Sequence, residues 1–417
     1  MKEKLRVLFK TGFFHLFTFQ VLNKIIAMCS SLVVINILSR TDYGNYTYAD
    51  NTLNMFLLLS GIGTVTGILQ FGSEHYDDEQ KKNAFLRFGY KVGILFNVGL
   101  CAVLFLSIYV YPYPLAGAVP YIAMLSILPL FMFTSEVIAI KLRVDLKNKE
   151  YSLYNTLTAG LLLISTYVGA KLQGPTAVII GRYLAYFATF LVIFFFYKNF
   201  FGGKAQGEPL TGEEKKSFMK ISLVSAVNNG ISHMLILLDV FLIGQLIKDA
   251  EVVATYKTAT TIPFAMVFIP QCVMIYIYPY FARHGQDKDW IRENYKKVFW
   301  LMFAGNALIS AALWFAAPLI IALLFPKYPD SLPVFRFLSV GYFFTATFRI
   351  PSGNILLMLK KVNFNLLVAI VSGVLNIILD IAFIKLWGSM GAALATVSIY
   401  IISGAISTVY LNWYIRK

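Results

Sequence analysis

Long apolar stretches alternate with short polar connections along almost the whole sequence. Each stretch is about as long as the 20 residues that a helix needs to cross a bilayer, and none shows the period-two alternation of a half-buried strand. The pattern predicts an all-α, polytopic membrane protein with about 12 transmembrane helices. The predicted spans run approximately over residues 13–38, 45–71, 86–110, 115–140, 151–170, 174–197, 218–246, 252–281, 297–323, 332–358, 363–385 and 391–414.

The second six spans repeat the first six. The segment "LSRTDYGNYTYADN" aligns with "LIKDAEVVATYKTAT", which pairs Tyr46 with Tyr256, and "LKNKEYSLYNTLTAG" aligns with "LKKVNFNLLVAIVSG". The turn before the last helix of each half pairs Gly174 with Gly391. Because six is an even number of spans, both halves have the same orientation, and a pseudo-two-fold axis along the membrane normal is expected.

The repeat divides the chain into three parts. Residues 1–199 form an N-terminal six-helix lobe, residues 200–217 form a polar, glycine-containing linker, and residues 218–417 form a C-terminal six-helix lobe. Two helical bundles joined by a flexible tether suit rocking motions around a central cavity. This organisation favours a transporter, with a non-transporting scaffold as the alternative.

The composition agrees with a location in lipid. Hydrophobic residues make up 58% of the chain and charged residues 14%, against about 25% charged residues in soluble domains. The formal net charge is +15, and most basic residues fall in loops on the side of the N-terminus. By the positive-inside rule both termini are cytoplasmic, so the charge reports topology rather than nucleic-acid binding.

Enzyme chemistry has no visible motif. The sequence contains neither a GxxxxGK[ST] loop nor HExxH, and its 3 cysteines fall inside apolar spans without CxxC spacing. We expect no enzyme activity, no metal and no cofactor.

Two segments resemble a known family. The run "NKIIAMCSSLVVINILSRTDYGNYTYADNTLNMFLLLSGIGTVTGILQFGS" is similar to the opening of the Wzx-type polysaccharide-biosynthesis flippases, with Leu-Ser-Arg, a Tyr-Gly-x-Tyr turn and a glycine-containing end of the second helix. "LWGSMGAALATVSIYII" resembles the start of the last helix in the same family. That family belongs to the MATE-like multidrug/oligosaccharidyl-lipid/polysaccharide exporter superfamily.

The resemblance implies a flippase of the bacterial cytoplasmic (inner) membrane. Its substrate is then an undecaprenyl-diphosphate-linked oligosaccharide, an O-antigen or capsule/exopolysaccharide repeat unit, moved from the inner to the outer leaflet by alternating access. H⁺ or Na⁺ coupling, and a polysaccharide polymerase and glycosyltransferases as partners, follow from the same resemblance. A multidrug/cation antiporter of the same fold and a lipid II flippase remain as alternatives.

Basic residues at membrane depth are candidates for binding the diphosphate. A charge at the bilayer centre costs about 2.5 to 3.5 kcal/mol on insertion scales, so each must pair, snorkel or face water. Lys24 lies near the middle of the first span and is the leading candidate, with pairing to Asp239 as the alternative. Arg182 and Arg349 are placed to guide a diphosphate, because guanidinium binds phosphate oxygens bidentately. Lys257 is a further cavity candidate, with snorkelling as its alternative.

Other polar residues complete the candidate site. Asn23 and Asn228 offer hydrogen bonds to sugar hydroxyls, or serve only in helix packing. His233 could contact sugar or relay protons, or be satisfied by packing and one hydrogen bond. Asp239, Asp50 and Glu136 are the candidate sites for a coupling ion, and snorkelling is the alternative for Asp50 and Glu136.

Overall fold

The computed structural model describes residues 13–196 and 209–416, and all of their regular structure is helical. Fifteen α-helices are joined by a π-helical segment, Thr345–Arg349, and short 3₁₀ turns. The helices are α1 (Phe13–Ile37), α2 (Arg40–Leu57), α3 (Thr64–Glu74), α4 (Glu79–Val110), α5 (Val119–Leu125), α6 (Leu128–Val144), α7 (Asn148–Gln173), α8 (Pro175–Phe196), α9 (Gly212–Ile247), α10 (Ala250–Met266), α11 (Phe268–Arg283), α12 (Lys288–Leu324), α13 (Leu332–Phe344), α14 (Ile350–Met358) and α15 (Val362–Arg416).

These helices account for the twelve predicted spans. Four spans are broken helices, namely α2 with α3, α5 with α6, α10 with α11, and α13 with α14, whereas α15 contains two spans separated at Gly388. By length and composition, six helical stretches of the described residues qualify as membrane-crossing, when α2 with α3 and α10 with α11 are each counted as one stretch. The number is seven when the bent pair α5 and α6 also counts as one span. The prediction of an all-α polytopic membrane protein is confirmed, and the symmetry axis stays a prediction.

The chain forms two compact units, Met1–Gly230 and Ile231–Lys417. In unit 1, α7 packs along both α1 and α8, and Phe218 near the start of α9 is buried with Ile68 and Phe85. In unit 2, α13 packs against α12 and α15. The predicted lobe and linker boundaries stay a prediction, and residues 200–208 of the linker lie outside the described residues.

Two glycines show where the repeat lies in the structure. Gly174 has φ 68° and ψ −142°, and Gly388 has φ 61° and ψ −138°. This conformation is essentially restricted to glycine, and each residue directly precedes the last span of its unit. Gly388, rather than Gly391, is therefore the structural counterpart of Gly174.

A matching turn recurs in both units, after α3 and after α11. In each, a histidine Nδ1 lies 2.9 Å from the carbonyl oxygen four residues earlier, and three residues after the histidine an aspartate side chain accepts the N–H of the next helix at 2.9 Å. The residues are His75 and Asp78 in unit 1, and His284 and Asp287 in unit 2. The two units therefore share local structure that the sequence alignment did not reveal.

The break between α2 and α3 depends on glycine. Gly61, Ile62 and Gly63 all have positive φ, of 56°, 50° and 76°. The N–H of Gly61 donates to Oδ1 of Asn97 at 3.0 Å, which satisfies a backbone group that the helix break releases. A Cβ at Gly61 would lie 2.2 Å from the ring of Phe133. The break thus requires both an unusual backbone conformation and the absence of a side chain.

We expect Gly61→Ala to destabilise the protein by at least about 1 to 3 kcal/mol, the cost of a strained left-handed residue. The measurement is thermal unfolding of the purified protein in detergent. Gly99→Ala is the matched control, because a Cβ there meets no atom within 4 Å and alanine is the better helix former. Equal melting temperatures for the two variants would contradict this explanation of the break.

The start of α9 is held by one carboxylate with two partners. Glu214 accepts the backbone N–H of Thr211 at 2.8 Å, while the hydroxyl of Thr211 accepts the N–H of Glu214 at 3.3 Å, which forms a capping box. The ammonium of Lys81 on α4 lies 2.6 Å from the other oxygen of Glu214. The hydrogen bond from Lys81, and then that from Thr211, lower the pKa of the Glu214 carboxyl.

This lowered pKa predicts a loss of stability in acid. Since the folded protein holds Glu214 ionised more strongly than the unfolded chain does, the stabilisation is complete above the unfolded pKa of about 4.3 and disappears as the pH falls through the lower folded pKa. Glu214→Gln keeps the capping box but loses the ion pair, so we expect it to cost roughly 0.2 to 1 kcal/mol at neutral pH and progressively less below about pH 4. The test is to measure the free energy of unfolding of the wild type and of Glu214→Gln across pH, with the exposed Glu213→Gln as control. A difference in stability between the wild type and Glu214→Gln that does not change with pH would refute the prediction.

Candidate functional site

Unit 1 contains an open cavity of about 550 Å³ between α1, α6, α7 and α8 and the break after α2. Its apolar lining includes Leu57, Met132 and Ile140. The polar side chains that line it are amides, hydroxyls and one carboxylate: Asn23, Ser60, Ser135, Glu136, Tyr151, Asn155, Thr158 and Tyr186. None of the described residues in this lining is basic. The cavity therefore presents hydrogen-bonding groups and a single ionisable acid.

Helical spacing on α6 positions the carboxylate. Phe133 and Val137 of α6 are buried in one apolar cluster, and Ile138 and Leu142 are buried in another. Positions 132, 135, 136 and 139 form one stripe that lines the cavity, and Ala139 also belongs to the second cluster. Glu136 is accordingly exposed to the cavity although it lies within a membrane-spanning segment.

Two further contacts fix the polar lining. Oδ1 of Asn23 on α1 accepts the hydroxyl of Thr156 on α7 at 3.1 Å. The hydroxyls of Ser135 on α6 and Tyr154 on α7 lie 2.8 Å apart. These bonds join the helices that line the cavity, so its polar groups are held in place before any ligand arrives.

Arg182 and Asp50 are partners in unit 1. Nη1 of Arg182 on α8 lies 2.5 Å from Oδ1 of Asp50 on α2, and it also donates to the hydroxyl of Tyr46 at 3.4 Å. The side chain of Arg182 is 15% exposed and that of Asp50 31%. Arg182 and Asp50 thus neutralise each other. Arg182 was predicted to guide a diphosphate, and Asp50 to bind a coupling ion.

Unit 2 contains a pair of buried acids. Oδ2 of Asp239 on α9 accepts hydrogen bonds from the hydroxyl of Tyr256 on α10 and, at 2.6 Å, from that of Thr396 on α15. Oδ2 of Asp380 on α15 accepts the amide of Asn376 at 2.7 Å. Asn376 and Asp239 line one cavity, so both acids belong to a single polar cluster.

The other oxygen of each acid has no donor. Oδ1 of Asp239 and Oδ1 of Asp380 are buried without a hydrogen-bond partner among the described residues. Two carboxylates so close together in an apolar interior cannot both stay ionised without a counter-charge. A shared proton satisfies both free oxygens, and so does a small metal cation, since hard cations bind oxygen ligands.

The acid pair borders a second cavity, of about 320 Å³, within unit 2. Gln271, Asn376 and Thr396 line this cavity together with Arg349, the last residue of the π-helical segment. Nη1 of Arg349 donates to the hydroxyl of Ser407 at 3.3 Å. Guanidinium carries five N–H donors, so this contact leaves most of them available for a ligand in the cavity. Single-turn π-helices are frequent at functional sites.

The remaining predicted residues are placed separately. Lys24 on α1 and His233 on α9 are exposed, and neither lines one of these two cavities. Lys257 on α10 is half-buried, and its carbonyl oxygen accepts the hydroxyls of Thr260 and Thr261. The side chain of Asn228 lies outside the part of the chain that the structure describes.

Sequence reasoning missed most partners of these groups. It identified Asp239 as a candidate ion site, but it did not predict that this residue is surrounded by Asp380, Asn376, Thr396 and Tyr256. The spacing of Asn376 and Asp380, four residues apart on one helix, was the available signal, because it places an amide beside a carboxyl at membrane depth. Which other helix faces them is not encoded in spacing.

Apolar helices thus surround polar cavities in both units, and buried charged residues in unit 2. The sequence profile of a family described as polysaccharide biosynthesis protein matches residues 33–298, well over half of the chain. The chain belongs to this family. Among curated proteins, none matches the sequence significantly.

Solved structures with the same fold cover nearly the whole chain. A multidrug resistance MATE family transporter of the MOP superfamily in its inward-facing conformation is 13% identical with a TM-score of 0.77, and covers 94% of each chain. The lipid II flippase MurJ in its inward closed conformation is 15% identical with a TM-score of 0.73, and covers 97% of this chain and 88% of its own. A MOP superfamily transporter from Pyrococcus furiosus is 12% identical with a TM-score of 0.62, over 96% and 93% of the two chains. The chain thus belongs to the polysaccharide biosynthesis family and has the same fold as these multi-pass membrane proteins.

Proposed function

We propose that the protein is a flippase that moves an undecaprenyl-diphosphate-linked oligosaccharide from the inner to the outer leaflet of the bacterial cytoplasmic membrane by alternating access. The observation that carries the proposal is the polar cavity of unit 1, about 550 Å³ inside an apolar bundle. Polar groups at membrane depth are costly and are expected where a hydrated cargo passes. Membership of the polysaccharide biosynthesis family supports a glycan as that cargo.

The lining of the cavity matches sugar chemistry. Sugar hydroxyls both donate and accept hydrogen bonds, and Asn155 and Thr158 provide matching groups, while the ring of Tyr186 offers an apolar face. A cavity without basic residues is unsuited to the diphosphate. We therefore assign the sugar portion of the substrate to this cavity.

The diphosphate requires basic groups elsewhere. Arg182 is committed to Asp50, which leaves Arg349 and Lys24 as the residues proposed to bind phosphate oxygens. Arg349 is half-buried and faces the cavity of unit 2, where desolvation strengthens its attraction to an anion. Lys24 is exposed, as a group that meets a moving substrate must be.

One observation favours a second function, that of a multidrug exporter. Among the described residues that line the cavity of unit 1, Glu136 is the one that carries a charge, and a carboxylate attracts organic cations. A glycan uses the same carboxylate as a hydrogen-bond acceptor. The two functions differ in their dependence on the basic residues, because a cationic drug gains nothing from Lys24 or Arg349.

Lys24→Ala is therefore expected to abolish glycan display at the cell surface, or to reduce it at least tenfold, while the amount of folded protein in the membrane is unchanged. The measurement is surface glycan staining in cells that depend on this protein. Lys171→Ala is the matched control, because Lys171 is an exposed lysine over the ring of Tyr167 at the end of α7, away from both cavities. Normal display in Lys24→Ala cells, with drug resistance lost in Glu136→Gln cells, would favour the multidrug exporter.

We further propose that Asp239 and Asp380 bind the coupling cation, a proton or Na⁺. Burial, two free carboxylate oxygens and the hydroxyl of Thr396 make a small site with excess negative charge. A cation that enters removes the repulsion between the acids and so changes the packing of α9 against α15. Binding of the ion is thereby linked to the arrangement of helices in unit 2.

Asp239→Asn and Asp380→Asn test the site. If Na⁺ is the ion, Na⁺ raises the melting temperature of the wild-type protein. At a Na⁺ concentration one hundred times the Kd, the added free energy of unfolding is about 2.7 kcal/mol. If the proton is the ion, the wild-type melting temperature depends on pH and not on Na⁺. Both variants should lose the Na⁺ response, or the part of the pH response that these two acids supply, while the contribution of Glu214 remains. A response that persists unchanged in both would refute the assignment.

A further inference from the structure

The register between the two units is fixed by their geometry. Gly174 and Gly388 adopt the same backbone conformation before the last span of each unit, so residues at equal distances from them correspond. The eighth residue after each glycine is Arg182 in unit 1 and Thr396 in unit 2. In the second span, Tyr46 and Tyr256 correspond, since each is the sixth residue after the first residue of its helix, α2 or α10.

These corresponding residues meet in both units. The hydroxyl of Tyr46 contacts the guanidinium of Arg182, and the hydroxyls of Tyr256 and Thr396 donate to the same oxygen of Asp239. Each unit therefore builds a polar cluster at the same place, between its second and its last span.

The charges in the two clusters differ. In unit 1 a fixed cation, Arg182, is neutralised by Asp50 at 2.5 Å. In unit 2 the residue in the position of Arg182 is the neutral Thr396, and the cluster contains two acids.

The two acids of unit 2 have uncharged counterparts in unit 1. Asp239 lies eight residues before the end of α9, where α1 has Cys29. Asp380 lies eight residues before Gly388, and Thr166 lies eight residues before Gly174. The described residues of unit 1 thus contain no second carboxyl at these positions.

The charge balance decides which cluster exchanges ions. Arg182 with Asp50 is neutral, and a guanidinium stays protonated at every physiological pH. Among the described residues, no basic side chain forms an ion pair with either acid of unit 2, although Arg349 lines the same cavity. Because the guanidinium of Arg182 is part of the chain, the cluster of unit 1 needs no free cation to be neutral. The acid pair of unit 2 does need one.

We propose that Arg182 is a built-in cation that occupies in unit 1 the position of the coupling cation in unit 2, so that the protein takes up a single exchangeable cation per transport cycle, in unit 2. This inference rests on the proposed ion coupling. It assigns Arg182 to charge balance and helix positioning rather than to substrate binding.

Removing the guanidinium should open a second cation site. Arg182→Thr recreates the residue of unit 2 and leaves Asp50 beside the hydroxyls of Tyr46 and the new threonine. The unpaired carboxylate then requires a proton or Na⁺. Arg182→Lys keeps a fixed positive charge at the same place and should not create the new site.

Equilibrium binding of ²²Na⁺ to the purified full-length protein in detergent, with proton release followed in parallel, counts the cations. We expect one cation per chain for the wild type and for Arg182→Lys, two for Arg182→Thr, and one again for Arg182→Thr combined with Asp50→Asn. Asp239→Asn should bind none. The wild-type count keeps the inference testable even when Arg182→Thr does not fold, and the double variant shows whether the added site depends on Asp50.

Two results would overturn the inference: two exchangeable cations in the wild-type protein, or one cation in folded Arg182→Thr. Its failure is separable from failure of the proposed function. Loss of glycan display in Lys24→Ala cells is measured without counting ions, and the absence of any cation in the wild type would refute ion coupling at the acid pair rather than the role of Arg182 alone.

Discussion

Neutralisation of charge at membrane depth is the constraint on which the functional part of this structure depends. A charged side chain in hydrocarbon costs several kcal/mol unless it is paired or hydrated. Unit 1 meets the constraint internally, with Arg182 on Asp50 at 2.5 Å. Unit 2 does not, because Oδ1 of Asp239 and Oδ1 of Asp380 are buried without a hydrogen-bond partner among the described residues. Because its charges balance, Arg182 with Asp50 is a structural ion pair. Because their charges do not balance, Asp239 and Asp380 form a site that can act on an ion.

The cavity of unit 1 depends on a second constraint, the path of the backbone. The left-handed residues at Gly61 to Gly63 end α2 early, and Asn97 compensates the released N–H. Ser60 consequently joins the cavity, opposite the stripe of α6 that carries Glu136. Helix breaks inside the membrane are tolerated only where neighbouring groups satisfy the backbone, so the break and the polar cavity support each other.

Hydropathy predicted most of the fold, because bilayer thickness imposes a length that is visible in one dimension. The twelve predicted spans correspond to helical segments with small shifts at their ends. The breaks were harder to predict, since the kink at Gly388 and the interruption at Gly61 depend on φ and ψ rather than on apolarity. The pairing of Gly174 with Gly391 was wrong for the same reason: sequence similarity at a glycine-rich turn cannot tell which glycine takes the positive φ.

The candidate site shows what sequence alone determined and what only the tertiary structure decided. The type and depth of Arg182, Asp50, Asp239 and Glu136 followed from their positions inside apolar runs. Their partners did not, because a pairing such as Arg182 with Asp50 joins residues more than a hundred positions apart. A membrane span specifies its own length and its polar positions, whereas which of its faces meets which other span is set by packing among all the helices of its unit.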